Sequence, residues 1–379
     1  MKNTVLIIGT FEMPDKDAAA IRVTGIAMAL TNAGYQVVLQ GRNKAEILEY
    51  HKFYSFQYKD RPRWSKTGYY SDIQYVIDTI NEIGVDKVVA IIAYHYPAIA
   101  MMKLLKHCNK SGIKLISDNT EWYQYKLLMS GGNRELEYAN FLLRMKWANI
   151  KVKNIIAISS FLYDYYQSRN CNVERVPILS FENSNNRLLS RTWNSIRLVY
   201  CGSPAKKDSL LPLVQAVSSL SREYDIELRL VGISRDQFET FYNYRIPEAN
   251  NDNIIFYGRV PHKQAVRILQ KNDFSIIIRP EERYAIAGFP TKMVEAFSNG
   301  LGVIATPVGD LREYVIDGKT GFLLNNDAKE SLEALLKRIC SMTSQELTQI
   351  KENSYNLSLE KFDYKKYSDS LKSFIERCK

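Results

Sequence analysis

No stretch of this 379-residue chain is apolar for long enough to cross a bilayer, which takes about 18 residues or more. Its apolar runs, such as residues 88–93 and 276–278, are no longer than β-strands. The start of the chain lacks the pattern of a secretory leader: its apolar core is only Val5 to Ile8, and Glu12, Asp15 and Asp17 follow at once. A cytosolic protein is the expectation. Cysteine is scarce: Cys108, Cys171, Cys201, Cys340 and Cys378 are odd in number and far apart, with no Cys-x-x-Cys, which excludes a zinc ribbon and a redox pair. Only four histidines occur, none at metal-ligand spacing, so no structural metal is expected. The glycine fingerprint of a dinucleotide-binding turn does not follow the first apolar run, and Gly318-Lys319-Thr320 has Glu313 where a phosphate-binding loop needs glycine. A zinc-finger spacing, an RNP-like run and a basic tail are also lacking, which argues against a nucleic-acid partner.

What is present is an ordinary globular composition, 46% apolar and 24% charged, at a length that suits two domains. The net charge of +10 is mild, and six of the ten units fall in the residues up to Asn185. Basic residues cluster there: residues 59–66; then Lys103, Lys106, His107, Lys110 and Lys114; then Arg144, Lys146, Lys151 and Lys153. Such clusters attract phosphate-bearing partners or anionic lipid surfaces, or are simply a solvated face.

Apolar periodicity predicts an alternation of strand and helix. In the first half, strands are expected at 4–8, 36–40, 87–93, 114–117 and 155–158, and helices at 18–32, 72–83, 97–109, 135–148 and 160–168. The polar stretch 183–194 reads as a linker, after which the rhythm restarts. Strands are then expected at 197–200, 227–231, 254–257, 274–278 and 302–305. Helices are expected at 209–220, 262–270, 290–298, 328–340, 344–357 and 364–376. This is the α/β pattern of two tandem Rossmann-like, doubly wound domains, spanning 1–185 and 195–357, with residues 358–379 returning to the first. In such sheets ligands bind beyond the carboxyl ends of the strands, and two facing domains would enclose a cleft.

The segment from Gly258 to Leu324 carries most of the chemistry. It contains Gly258-Arg259-Val260-Pro261, a strand ending Ile278-Arg279-Pro280, and Ala287-Gly288-Phe289-Pro290-Thr291-Lys292-Met293-Val294-Glu295-Ala296. Gly288-Phe289-Pro290 lies between a strand end and a helix start, where amides and the helix dipole favour an anion such as a diphosphate. Glu295 falls mid-helix, about one and a half turns in; ionised, it is a pure acceptor suited to a ribose diol, or else a surface glutamate. Upstream, Tyr200-Cys201-Gly202-Ser203-Pro204-Ala205-Lys206-Lys207 places a glycine and two lysines after a strand. Gly202 lets a ligand approach the backbone, and a lysine there can neutralise leaving-group charge. Asp15-Lys16-Asp17 has a form that some metal-using nucleotide-sugar enzymes share, but reads more simply as a solvated loop.

These motifs, in this order, resemble the donor-binding half of the GT-B glycosyltransferases, the large retaining family four. The resemblance implies a glycosyltransferase that moves a sugar from a nucleotide diphosphate with retention and without a metal or other cofactor. It implies donor contacts by Gly202, Lys206, Lys207, Arg259, Val260, Gly288, Phe289, Pro290, Thr291, Lys292 and Glu295. Lys207 is the better candidate for the leaving diphosphate, Lys206 the second, and Arg279 a further one. Two positions depart from the pattern: Ala287 stands where a glutamate usually holds the donor sugar, and Ser203 where arginine often follows the glycine. The first domain resembles the family more loosely. Arg22 is expected on the cleft side of the first helix, His95 beyond the 87–93 strand as a cleft or a core histidine, and Asp118 or Glu121 to orient the acceptor hydroxyl. The expected partners are a nucleotide-diphosphate sugar, a glycan or lipid-linked acceptor of surface polysaccharide or glycolipid assembly, and an anionic inner membrane face. The departures keep two other readings open: a decayed nucleotide-binding scaffold, and a nucleotide-sugar epimerase of the same fold.

Overall fold

A computed structural model describes residues 3–13, 17–42, 57–58, 68–125, 134–181, 195–202, 208–250 and 252–379. The chain divides into two compact units. One comprises residues 1–181, 287–289 and 363–379; the other comprises 182–286 and 290–362.

The first unit is built on a parallel sheet of β1 (Thr4–Gly9), β2 (Gln36–Gln40), β3 (Gln57–Tyr58), β4 (Val88–Tyr94), β5 (Lys114–Asn119), β6 (Asn154–Ala157) and β7 (Asn172–Arg175). The strand order is β3-β2-β1-β4-β5-β6-β7. Its central strands are apolar on both faces because helices cover both, so they read as continuous runs rather than as alternation. One face packs the helix Ala18–Asn32 and the C-terminal helix Ser368–Arg377 through Val23, Ala27, Leu30, Leu371 and Phe374. The other packs helices Gln74–Ile83 and Ala98–Ser111 through Val76, Ile80, Met101 and Leu104. Asp17 caps the first helix, accepting from the Ala20 amide at 2.7 Å, so this acid of the Asp-x-Asp pair serves as an N-cap; Asp15 and Lys16 lie outside the described residues.

The second unit repeats the plan with β8 (Ile196–Cys201), β9 (Ile226–Val231), β10 (Ile254–Gly258), β11 (Phe274–Ile277), β12 (Gly302–Ala305) and β13 (Gly321–Leu323), in the order β10-β9-β8-β11-β12-β13. Both sheets therefore reverse direction beside their first strand, between β1 and β4 and between β8 and β11, which opens a crevice at the carboxyl ends.

Three features differ from the sequence expectations. The 135–148 helix is α-helical over Arg134–Leu143 but passes into a π-helical stretch, Arg144–Ala148, before closing as Asn149–Val152. Buried Asn149 bonds Ser117, Asn119 and the Tyr166 hydroxyl, at 2.9, 2.6 and 2.8 Å. The helix expected to stop at 357 continues as Ser344–Lys361, because Ser354 and Ser358 remain buried along it. The short elements β3, β7, β13 and the helix Arg235–Tyr242 carry too little apolar periodicity to stand out in sequence; the last begins at a capping box of Ser234 and Gln237.

Candidate functional site

In the second unit the crevice between β8 and β11 holds a buried ionic cluster. Asp208, only 3% exposed, accepts from Lys292 Nζ at 2.6 Å, from the Tyr200 hydroxyl at 2.6 Å and from Arg279 Nε at 3.1 Å. Each partner comes from a different element. Tyr200 is in β8, Arg279 follows β11, and Lys292 lies in the first turn of helix Thr291–Ser298. Thr306 beyond β12 fixes the Arg279 backbone from both sides, accepting from its amide at 2.9 Å and donating to its carbonyl at 2.7 Å. The Lys292 ammonium also sits 3.9 Å from the Tyr200 ring centroid, a cation–π geometry.

Gly202 explains how the lysine fits. A Cβ on Gly202 would stand 2.6 Å from Lys292 Cε and 2.8 Å from its Nζ, and the glycine φ of +148° disfavours any side chain. The missing side chain leaves room for the lysine stem where β8 ends. Burial opposes ionisation of Asp208, but the attraction of Lys292 and Arg279 and the hydrogen bonds to it prevail, and its pKa falls to about 2. Burial likewise lowers the Lys292 pKa, against the pull of Asp208. Burial, with Asp208 alongside, raises that of Tyr200. Two cations thus share one carboxylate. The side chains of Arg279 and Lys292 are 17% and 16% exposed, so neither is wholly enclosed.

Glu295, one turn beyond Lys292, is 27% exposed and lies 3.4 Å from His262 Nε2. It is neither buried in the core nor fully solvated, and its carboxylate remains an acceptor at the crevice side of the helix. Pro290 caps this helix, with Thr291 and Lys292 following; Phe289 is buried and Gly288 half-buried. Arg259 is exposed and Val260 half-exposed after β10. Lys206 and Lys207 lie outside the described residues, as does Ser203.

In the first unit, the expectation of a cleft-facing Arg22 is corrected. Arg22 and Asp118 form an ion pair at 2.6 Å with both side chains 1% exposed, and Arg22 also donates to the carbonyls of Val176 and Pro177. Each charge is consumed by the other, so Asp118 is likewise no free carboxylate for an acceptor. The pair ties the first helix to β5 and to the chain after β7. Glu121 is different: half-exposed, it lies beside Tyr94 and Tyr123, whose hydroxyls are both driven upward in pKa by burial first and by Glu121 next. His95 follows β4 with a left-handed φ of 48°; its Nε2 is 2.7 Å from Thr120 Oγ1 and its ring stacks on Tyr94 at 4.6 Å. A strained non-glycine residue at the carboxyl end of a switch-point strand is characteristic of ligand-facing positions.

Sequence reasoning named Arg279, Lys292, Gly202 and Glu295 but missed Asp208, Tyr200 and Thr306. Asp208 follows two lysines in a polar turn and reads as solvated, while Tyr200 reads as strand core. Only the pairing of separate elements reveals them.

The fold and this crevice define the class: the chain has the GT-B glycosyltransferase fold. Residues 193–357, within the second unit, match the family model described as glycosyl transferases group 1. Over 60% of its length the chain is 22% identical to an uncharacterized glycosyltransferase of Methanocaldococcus jannaschii, and the match spans 59% of that relative. Among solved structures, a glycosyltransferase from Rickettsia africae aligns with TM-score 0.72 at 16% identity, covering 99% of both chains. HepE from Anabaena, in complex with UDP, aligns with TM-score 0.71 at 13% identity, covering 99% of this chain and 100% of that one.

Proposed function

We propose that the protein transfers a sugar from a nucleoside-diphosphate sugar, with the crevice beyond β8 and β11 as the donor site. The observation that carries this is the convergence of Arg279 and Lys292 on Asp208, beside a glycine whose missing side chain makes the room. In this reading the two cations meet the charge that grows on the β-phosphate as the glycosidic bond breaks, and Lys207, with Lys206 second, adds to it. Amides at Gly288 and the start of helix Thr291–Ser298 face the diphosphate, and Glu295 accepts from the ribose diol. Anomeric retention, metal independence and the aid of the leaving diphosphate in deprotonating the acceptor follow from the family resemblance. On the acceptor side Glu121 and His95 are the candidates. A glycan or lipid-linked acceptor in surface polysaccharide or glycolipid assembly, met at an inner membrane face, completes the reading.

Thermal shifts with UDP, GDP, CDP and ADP and their sugars test it. A ligand at about 100 times its Kd adds about 2.7 kcal/mol. The HepE structures contain UDP, glucose or UDP-glucose, which makes uridine the first choice. Stabilisation by one nucleotide, lost in Lys292→Met and Glu295→Gln, supports the site; no shift with any nucleotide overturns it. Ala287, standing where a glutamate usually holds the sugar, favours a second reading of a nucleotide-binding scaffold. That reading requires a nucleotide shift without sugar transfer to any acceptor in a glycan and lipid panel.

A further inference from the structure

Two neighbouring helical segments of the first unit present a surface that the donor chemistry does not use. We propose that this surface, formed by helix Ala98–Ser111 and the helical run from Leu143 to Val152, docks on an anionic lipid bilayer. The proposal deepens the reading of a lipid-linked acceptor, although the docking itself does not depend on it.

The two segments lie side by side over one face of the seven-stranded sheet, where Ala98, Met101, Leu104, Ala148 and Val152 share a core cluster. The Ala98 amide donates to Asn140 Oδ1 at 3.0 Å, which sets the start of one helix against the Arg134–Leu143 helix that leads into the other segment. On the side away from the core, Ile99, Leu143 and Trp147 are 49%, 41% and 41% exposed. Leu143 and Trp147 are four residues apart, and Ile99 follows Ala98, whose amide binds Asn140 three residues before Leu143. Apolar side chains of this size, grouped and left in solvent, mark a surface that meets something.

Along these two segments the charge has one sign. Residues 96–117 contain no acidic residue, nor do residues 138–153. Lys106 and Lys110 continue the Ile99 face along one helix, while Lys146 and Lys151 flank Trp147 on the other, and all four are exposed. None is in an ion pair among the described residues. Some exposed cations elsewhere are matched, as in Arg338–Asp317, Lys329–Glu333 and Arg377–Glu174. Three other basic residues of these stretches are already engaged: Lys103 donates to the Ser71 carbonyl, Lys114 holds the carbonyls of Ile375 and Glu376 at the end of the C-terminal helix, and Arg144 is buried. Glu135 and Glu137 bound the face at the far end of the longer run.

Unpaired lysines beside an exposed tryptophan and two aliphatic side chains suit an interface that is negative at its surface and apolar just beneath. Lysine stems extend over the apolar layer while their ammonium groups stay at phosphate level, and an indole rests at the headgroup boundary. A purely polyanionic partner would use the lysines but leave the apolar groups wet. Helix Ala98–Ser111 starts just beyond the carboxyl end of β4, three residues after His95. The docking face thus borders the edge where Glu121 and His95 stand, which suits an acceptor whose lipid stays in the bilayer.

Co-sedimentation of the full-length protein with phosphatidylglycerol–phosphatidylethanolamine vesicles, against phosphatidylcholine vesicles, tests the proposal. Binding to the anionic vesicles at low salt, weakened at high salt, is expected. Lys146→Gln with Lys151→Gln should lower vesicle affinity about 25-fold, at about fivefold for each surface lysine lost. Vesicles should shift tryptophan emission to the blue, and Trp147→Phe should remove that shift while binding persists. The UDP-induced thermal shift serves as the folding control in each variant and reports the donor site separately. Vesicle binding without a nucleotide shift leaves this face standing while the transferase reading falls. A nucleotide shift without vesicle binding overturns the face alone. Binding to heparin with no vesicle-induced shift of Trp147 emission also overturns it, in favour of a soluble polyanion.

Discussion

Replacing Asp208 with asparagine tests the donor site in a way that a simple loss of function does not. Asp208 is the shared counter-ion of Lys292 and Arg279, and its pKa falls from 3.8 to about 2 on folding. At one pKa unit for about 1.4 kcal/mol, the ionised carboxylate contributes roughly 2–3 kcal/mol at neutral pH. Asparagine keeps the shape but leaves two cations facing each other without the carboxylate that pairs them. The unliganded variant should melt about 5–10 °C lower, since 1 kcal/mol moves a unit of this size by about 2–4 °C. If Lys292 and Arg279 hold a diphosphate, that ligand restores the missing negative charge. UDP, or inorganic pyrophosphate, should therefore stabilise Asp208→Asn by more than it stabilises the parent protein. Differential scanning fluorimetry across a ligand titration reads both effects. A ligand shift equal to or smaller than the parent's would refute the reasoning, because it would show that the bound anion does not meet these two cations.

Gly202→Ala should weaken nucleotide binding about tenfold or more by pushing Lys292 from its place, since the new Cβ would lie 2.6 Å from Lys292 Cε; isothermal titration with UDP checks this. The Asp208 contribution is fully present above its unfolded pKa and is lost as pH falls through the folded one, so unfolding free energy should drop between about pH 4 and pH 2. Urea melts over that range should show a smaller drop in Asp208→Asn. Phe374→Ala in the C-terminal helix should cost about 3–5 kcal/mol, because Phe374 is fully buried against the first-unit core; chemical denaturation of the variant reads it.

Much of the fold was legible because parallel strands buried on both faces are written as unbroken apolar runs. Residues 88–93 and 302–305 announce themselves in this way, and the glycine at 202 and the Phe289-Pro290 step mark turns by local chemistry. The strands β3, β7 and β13 were not legible, since each is short and β7 is half-buried throughout, so neighbouring strands rather than sequence pattern define them. In the site, Arg279, Lys292 and Glu295 could be named because the motif that holds them resembles a family pattern, while the strand end and helix start around them are local signals. Arg22 and Asp118 could be named too, but not their fate: 96 residues apart, they neutralise each other inside the first unit.

The sequence by itself determined the α/β rhythm, the restart after the polar stretch 183–194, the donor-half motifs and the acid-free basic stretches, because each is a local matter of periodicity, turn chemistry or composition. Only the tertiary structure decided which charges remain available. A side chain's charge is set by its environment, and the partners of Asp208, Arg22 and Lys114 come from distant segments. The same folding that consumes Arg22 and Lys114 leaves Lys146 and Lys151 in solvent beside Trp147.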